Sequence, residues 1–288
     1  MHTAFVTRFA PSPTGKLHLG HAFSALTAFK AAQKAGGRFL LRIEDIDQSR
    51  CRDPYISGIF EDLEWLGITW ERPVRRQSEH FSDYQSALDR LKSMGVLYKC
   101  ICTRKDIAAE IARSPSAPHG PDGAHYPGTC KHRPATEIAQ AISDGHPFAL
   151  RLDSMRAAKL IAAHSPLMFT DTEGYVHEAD PLAFGDVVLA RKDTPTSYHL
   201  AVTVDDALQG ISHVIRGEDL FHATHIHRTL QALLGLPSPV YHHHKLLVDE
   251  TGRRLAKRDK AQTLYSLRQS GWTAQDVRDK LDRLSANC

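Results

Sequence analysis

The sequence has little that would direct the chain to a membrane or to an oxidising compartment. Its 288 residues contain only five cysteines, an odd number, and no apolar run close to the ~18 residues that a membrane-spanning helix requires. A polar loop begins by residue 11, so the N-terminus lacks the pattern of a signal peptide. We therefore expect a cytoplasmic protein with reduced thiols and no membrane partner.

An excess of charge of one sign is also missing. The formal net charge is +3, with 42% hydrophobic and 24% charged residues, which is an ordinary globular composition. This balance permits contact with a polyanion but is far from that of a dedicated nucleic-acid coat protein. The length suffices for one large domain or two small ones, and we expect a monomer.

The N-terminal stretch combines a strand pattern with a helix pattern. A β-type run over residues 4–9 leads into a loop with two prolines and a glycine, and apolar positions of helical period follow. Such a loop presents free backbone N–H groups and the positive end of a helix dipole, where phosphates bind. His18 and His21 lie at the mouth of the helix with Gly20 between them, so both imidazoles can face one ligand.

A second apolar strand is predicted over residues 38–43, and it ends at Glu44. Parallel sheets bind ligands outside the carboxyl ends of their strands, so Glu44 should share a site with Arg8 and Ser12. Asp45 and Asp47 follow and could equally belong to a solvated turn and helix cap.

Later periodicities complete the predicted framework. Residues 54–67 and 79–95 have apolar positions at helical spacing, and we interpret their aromatic residues as core. Asp205 and Asp206 could be a metal pair, but a helix N-cap with an acid in the first turn is the better interpretation. Strand-like runs cover residues 148–152, 186–191, 194–206 and 213–219.

Three cysteines indicate a metal site in the middle of the chain. Cys100 and Cys102 are one residue apart, and Cys130 follows a loop rich in proline, glycine and histidine. Three thiolates nearly complete a tetrahedral structural zinc site, and chemistry alone would favour His125 or His132 as the fourth ligand. The three consecutive histidines at 242–244 are not a metal site, because neighbours in a strand face opposite sides.

The stretch His18-Leu19-Gly20-His21 resembles the first signature of class I aminoacyl-tRNA synthetases, and the preceding Arg-Phe-Ala-Pro-Ser-Pro-Thr-Gly narrows the resemblance to the glutamyl and glutaminyl branch. Residues 252–258 resemble the second signature, with Arg254 and Ala256 as departures and Lys257 retained. The resemblance implies that ATP is a substrate, with Mg²⁺ on the departing phosphates. It assigns ATP binding and catalysis to His18, Gly20, His21 and Lys257.

The same resemblance assigns a glutamate pocket and a metal ligand. Glu44 would bind the substrate amino group, while Tyr198 and Arg216 would hold the two carboxylates. Tyr126, in Tyr-Pro-Gly-x-Cys, would be the fourth zinc ligand. The full pocket would consist of Arg8, Ala10, Ser12, Glu44, Tyr198 and Arg216.

These observations together predict an α/β fold with a doubly wound, mostly parallel sheet of Rossmann type. Residues 1–97 and 148–260 would form the catalytic domain, residues 98–147 a zinc-bearing insertion, and residues 261–288 a short helical segment. The chain resembles only the catalytic half of a glutamyl-tRNA synthetase, without an anticodon-binding region. That is the pattern of the glutamyl-Q tRNA(Asp) synthetase family, whose members join L-glutamate to queuosine in the anticodon of tRNA(Asp).

Three other functions fit parts of the sequence. A different nucleotidyltransferase would explain the histidine loop but not the predicted pocket. A truncated glutamyl-tRNA synthetase would charge a tRNA 3′ end. A non-catalytic paralogue that binds tRNA would explain the altered loop around Lys257.

Overall fold

The computed structural model describes residues 4–113, 119–121, 123–163, 166–248 and 262–286. Its first part is a parallel three-stranded sheet in which the second strand lies between the other two. The elements are β1 (Val6–Phe9), α1 (Leu19–Lys34), β2 (Arg38–Ile43), α2 (Asp53–Trp65) and β3 (Glu71–Arg76).

The middle of the chain carries short elements around a small core of its own. Cys100, Cys130 and Ile138 form that core, apart from the two large ones. Helix α3 (Phe81–Ser93) comes before this part and packs into one of the large cores. The elements that follow are β4 (Leu97–Cys100), α4 (Arg104–Arg113), β5 (His119–Gly120), β6 (Gly123–Ala124), α5 (Thr129–His132) and α6 (Ala135–Ser143).

The remainder of the chain supplies strands of three further sheets and the helices between them. The elements are β7 (Ala149–Leu152), α7 (Ser154–Ala162), β8 (Met168–Thr170), β9 (Val176–Glu178), β10 (Val188–Arg191), α8 (Tyr198–Leu208), β11 (His213–Gly217), α9 (Ala223–Leu234), β12 (Val240–His244), α10 (Leu264–Gln269) and α11 (Ala274–Ser285). Strands β11 and β12 are parallel, and β11 lies against β1. Strand β7 pairs antiparallel with both β4 and β10.

The predicted α/β class, its parallel sheet and the short helical segment near the end of the chain are confirmed. Two large hydrophobic cores pack the helices against the strands, and Trp65 and Trp70 pack against one of them, as expected. Within the described parts of the chain, no helix has both the length and the apolar composition to cross a bilayer.

The prediction that residues 194–206 are strand-like is wrong, because Tyr198–Leu208 is helix α8. Ser197 caps the helix by accepting a hydrogen bond from the backbone N–H of Leu200 at 3.3 Å. The helix packs against α3 and α9, so most of its residues are buried and its sequence lacks a polar face. Short apolar runs of this kind look alike in a buried strand and a buried helix.

The prediction that Asp205 and Asp206 form a helix N-cap with an acid in the first turn is also wrong. The two carboxylates lie in the second half of α8, so they neither cap its N-terminus nor occupy its first turn.

Candidate active site at the carboxyl edge of the parallel sheet

A cleft of about 1220 Å³ opens where the strands of the parallel sheet end. The loop after β1, the residue after β2 and the end of β11 all contribute side chains, as the topology of such a sheet requires. Lys257 and its neighbours Arg254 and Ala256 lie outside the described residues. The other predicted substrate-site residues all line this one cleft: Arg8, Ala10, Ser12, His18, Gly20, His21, Glu44, Tyr198 and Arg216.

The predicted histidine pair lies at the first turn of α1. His18 Nδ1 accepts a hydrogen bond from the backbone N–H of Gly20 at 3.1 Å, and His21 Nδ1 accepts one from the backbone N–H of His18 at 3.2 Å. This reciprocal capping fixes the two rings 3.8 Å apart, centre to centre. A Cβ at Gly20 would lie 3.1 Å from the His18 ring, so glycine permits this close approach.

An ion-pair network supports one wall of the cleft. Asp206 accepts hydrogen bonds from Arg8 at 2.9 Å and from Arg42 at 2.8 Å, and all three side chains are buried. Arg42 also reaches Glu44, at 3.3 Å. Asp205, fully buried, pairs with Arg75 at 2.7 Å. Each of these arginines therefore has a carboxylate partner within the protein.

Glu44 lies at the edge of this network, where it is buried and lines the cleft. Burial raises its pKa to about 7, against the opposing effect of Arg42 and Arg8. The alternative that Asp45 belongs to a solvated turn is wrong. Its buried carboxylate accepts hydrogen bonds from the backbone N–H and the hydroxyl of Ser78, both at 2.8 Å.

The adjoining wall, at the end of β11 and beside β1, holds Arg216, which is only 6% exposed. Its guanidinium donates to Thr224 Oγ1 at 2.8 Å and to His243 Nε2 at 3.2 Å, and it lies 3.0 Å from His227 Nδ1. Among the residues that the structure describes, no carboxylate lies within ion-pair distance of it. Arg216 is thus a buried cation whose partners are hydroxyl and imidazole groups.

Those imidazoles are neutral. Burial, reinforced by the charge of Arg216, lowers the pKa of His243 to about 3 and that of His199 to about 4. The pKa of His227 is lowered well below its usual value for the same reasons. His199 Nδ1 lies 3.2 Å from His227 Nε2, which extends the cluster toward Tyr198.

Sequence reasoning missed the partners of both arginine groups. Arg42 carried a readable signal, because an arginine inside an apolar strand requires a buried acid nearby. The histidines of Arg216 carried none. His227, on α9, and His243, on β12, come together only in the folded chain, where each contacts Arg216.

The three predicted thiols lie together in the middle part of the chain. The Sγ atoms of Cys100, Cys102 and Cys130 are all within 4.8 Å of one another. The Tyr126 hydroxyl is 3.4 Å from Cys100 Sγ and 3.3 Å from Cys102 Sγ. Zinc–sulfur bonds of ~2.3 Å in a tetrahedron place their ligands about 3.8 Å apart, so these four atoms fit such an ion.

The two histidines considered as alternative ligands are not part of this group. His125 Nε2 lies 3.0 Å from the carbonyl oxygen of Ala183, and His132 is exposed. Neither joins the cluster of potential ligands in the described chain.

Comparison with known proteins agrees with this geometry. The family model for tRNA synthetases class I (E and Q), catalytic domain, matches residues 4–286. A glutamyl-Q tRNA(Asp) synthetase of Rhodobacter capsulatus is 51% identical over 282 residues, covering 95% of this chain and 98% of that protein. One from Nocardia farcinica is 42% identical over 272 residues, covering 94% and 81%.

A solved structure shares the fold. The crystal structure of glutamate-tRNA synthetase from Elizabethkingia anophelis matches with a TM-score of 0.79 and 24% identity. The match covers 96% of this chain but only 61% of that one, so this chain spans less than two thirds of its length.

These matches show that the protein is an α/β ligase of the class I tRNA synthetase type. Within the class, the chain belongs to the family of catalytic domains for glutamate and glutamine, written E and Q in the family description.

Proposed function

We propose that this enzyme activates L-glutamate with ATP and transfers it to the queuosine base in the anticodon of tRNA(Asp). The observation that supports glutamate activation is that one cleft contains both a buried cation and a buried carboxylate. Buried Arg216 has no carboxylate partner among the described residues, and buried Glu44 faces the same cavity. An amino acid that carries an ammonium group and carboxylates complements both.

Each end of glutamate would meet a different wall. Glu44 would hold the ammonium group, with Arg8, Ala10 and Ser12 completing that side of the pocket. Arg216 and Tyr198 would bind the carboxylates. A guanidinium pairs with a carboxylate in an oriented, bidentate way that lysine cannot reproduce, which suits a pocket that must recognise one amino acid.

ATP would bind at the first turn of α1. His18, His21 and the amide dipoles around Gly20 line the cleft there and would meet the charge that develops on the α-phosphate. The glutamate carboxylate would attack that phosphorus in line and form glutamyl-adenylate, while pyrophosphate leaves with Mg²⁺. Lys257, although outside the described residues, belongs to this proposal as the cation that contacts the ATP phosphates.

The second half, transfer to queuosine, is supported by the names of the two relatives. Single-stranded bases of an anticodon loop are accessible to hydrogen bonding and stacking within a cleft. We expect glutamate-dependent exchange of pyrophosphate into ATP without any tRNA, because the adenylate forms before RNA is needed.

Three RNAs test the acceptor: queuosine-bearing tRNA(Asp) without its 3′ CCA, intact tRNA(Asp) without queuosine, and intact tRNA(Glu). Labelled glutamate should enter only the first. Label in the second or third would make the enzyme an ordinary charging synthetase. Exchange without label in any of the three would leave activation standing and remove the proposed acceptor.

We also propose that the cysteine cluster holds a structural zinc ion, with Tyr126 as the fourth ligand. The three thiols and the phenol fit the tetrahedral spacing. Metal analysis of the purified protein should find one zinc per chain, and a Cys100→Ala, Cys102→Ala double variant should lose it. Full retention of metal by that variant would contradict the assignment.

A further inference from the structure

A third buried arginine lines the cleft and, unlike Arg8 and Arg216, has no role in the proposed activation step. Arg151, on β7, is only 9% exposed and lines the cavity. Its Nη1 donates to the backbone carbonyl of Asp186 at 2.8 Å, and its guanidinium lies 3.9 Å from the centre of the Tyr126 ring. Its Nε is buried without a hydrogen-bond partner.

The nearby carboxylate does not neutralise Arg151. Asp186 accepts hydrogen bonds from the backbone N–H of Ser154 at 2.9 Å and from the Tyr98 hydroxyl at 2.7 Å. Its ion-pair partner is Lys131, at 3.4 Å. Within the described chain, Arg151 has no ion pair, so its charge is compensated only by a carbonyl and an aromatic face.

The neighbouring strand adds a second cation. Arg191 on β10 pairs in register with Ala149, which lies two residues from Arg151 and on the same face of β7. Arg191 is exposed at the cleft, and no ion pair to it occurs among the described residues. The β7 and β10 wall therefore presents one buried and one exposed arginine to the same space.

We propose that Arg151 and Arg191 form a phosphodiester subsite for the RNA acceptor, an inference that rests on the proposed function. A guanidinium binds phosphate oxygens in a forked geometry. The Tyr126 ring packs against the Arg151 guanidinium and holds it in place. The exposed Arg191 attracts the RNA backbone, and the buried Arg151 binds one of its phosphates. These two strands are different elements from the first turn of α1, where we propose that the ATP phosphates bind.

The test measures the affinity of queuosine-bearing tRNA(Asp) by fluorescence anisotropy over a series of salt concentrations. Arg151→Met should weaken binding about tenfold and lower the slope of log affinity against log salt by about 1. Arg151→Lys should retain the slope while binding more weakly than wild type, since it keeps the charge without the fork. Arg191→Met should also lower the slope.

The matched control is Arg156→Met, which removes the same charge from an exposed position on α7 outside the cleft. It should leave affinity and slope at wild-type values. Arg191→Met also protects the test against misfolding of the buried variant, because its side chain is exposed.

Two results would overturn the subsite alone: wild-type affinity and slope in both Met variants, or a raised KM for ATP in pyrophosphate exchange with RNA affinity unchanged. The second result would assign the anion to the nucleotide. Failure of the wild-type enzyme to bind this tRNA would overturn the proposed acceptor together with the subsite.

Discussion

The two walls of the cleft stabilise their buried arginines in opposite ways. Arg8 and Arg42 share the carboxylate of Asp206 within hydrogen-bond distance. Arg216 is equally buried but is surrounded by Thr224 and two imidazoles. The first arrangement is complete without a ligand. The second keeps a full positive charge in a desolvated place, which favours the binding of an anion.

Burial explains why the second arrangement needs histidines in particular. A carboxylate beside Arg216 would cancel its charge and compete with the proposed substrate carboxylate, whereas apolar neighbours would leave its N–H groups without acceptors. A neutral imidazole accepts a hydrogen bond without contributing negative charge. The lowered pKa values of His227 and His243 keep them neutral throughout the physiological range.

The largest expected effect is on stability, at the charged wall. Asp206→Asn would leave Arg8 and Arg42 buried with a neutral partner, and breaking a buried pair from one side costs about 3–5 kcal/mol. We expect a correspondingly lower free energy of unfolding in a urea titration. Asp279→Asn is the control, since Asp279 is exposed on α11 and should tolerate the change. Equal stability of the two variants would show that the network does not support the fold.

The next effect is on catalysis, at the imidazole wall. Arg216→Gln removes the cation proposed to bind a substrate carboxylate, and losing such a contact costs roughly 2–5 kcal/mol. The kcat/KM for glutamate in pyrophosphate exchange should fall accordingly, while the KM for ATP and the urea midpoint should change little. A large loss of stability with unchanged glutamate kinetics would make Arg216 a structural residue like Arg42.

A single substitution can convert one wall into the other. His243→Glu places a carboxylate beside Arg216, where the imidazole Nε2 now lies 3.2 Å from the guanidinium. We expect kcat/KM for glutamate to fall by a factor equivalent to about 2 kcal/mol, because the new ion pair competes with the substrate carboxylate. The free energy of unfolding should be retained. His243→Gln is the matched control and should bind glutamate better than the Glu variant. Similar kinetics in both would show that charge at this position is irrelevant.

The sequence predicted one half of this comparison well. The ends of β1, β2 and β11 were identifiable from apolar runs that stop at polar residues, and Arg8, Glu44 and Arg216 do line one cleft. The family resemblance supplied Tyr198 despite a wrong secondary structure around it. The partners of these residues could not be predicted, because Asp206 lies in a buried helix that looks like a strand, and the imidazoles meet only in the folded chain.

The smallest effect is a pH dependence that originates at the charged wall. Burial raises the pKa of Glu44 from 4.5 to about 7 despite Arg42 and Arg8 nearby. Glu44 is therefore protonated below that pH, when it cannot bind an ammonium group. The kcat/KM for glutamate should fall as pH decreases below about 7, approaching tenfold per pH unit, and should level off above it. Exchange assays between about pH 5.5 and 8.5 measure this profile.

The same pKa fixes the sign of the stability change. Between about pH 4.5 and 7 the folded enzyme holds a proton on Glu44 that the unfolded chain has released, so this group favours the fold at low pH and loses that contribution as pH rises. Glu44→Gln should remove this dependence and be at least as stable as wild type at pH 8, while binding glutamate weakly at every pH. A variant with the wild-type kinetic profile would move the titration to another group. In that case Glu44 would join Asp206 in the supporting network, and the substrate ammonium group would have to be held elsewhere in the cleft.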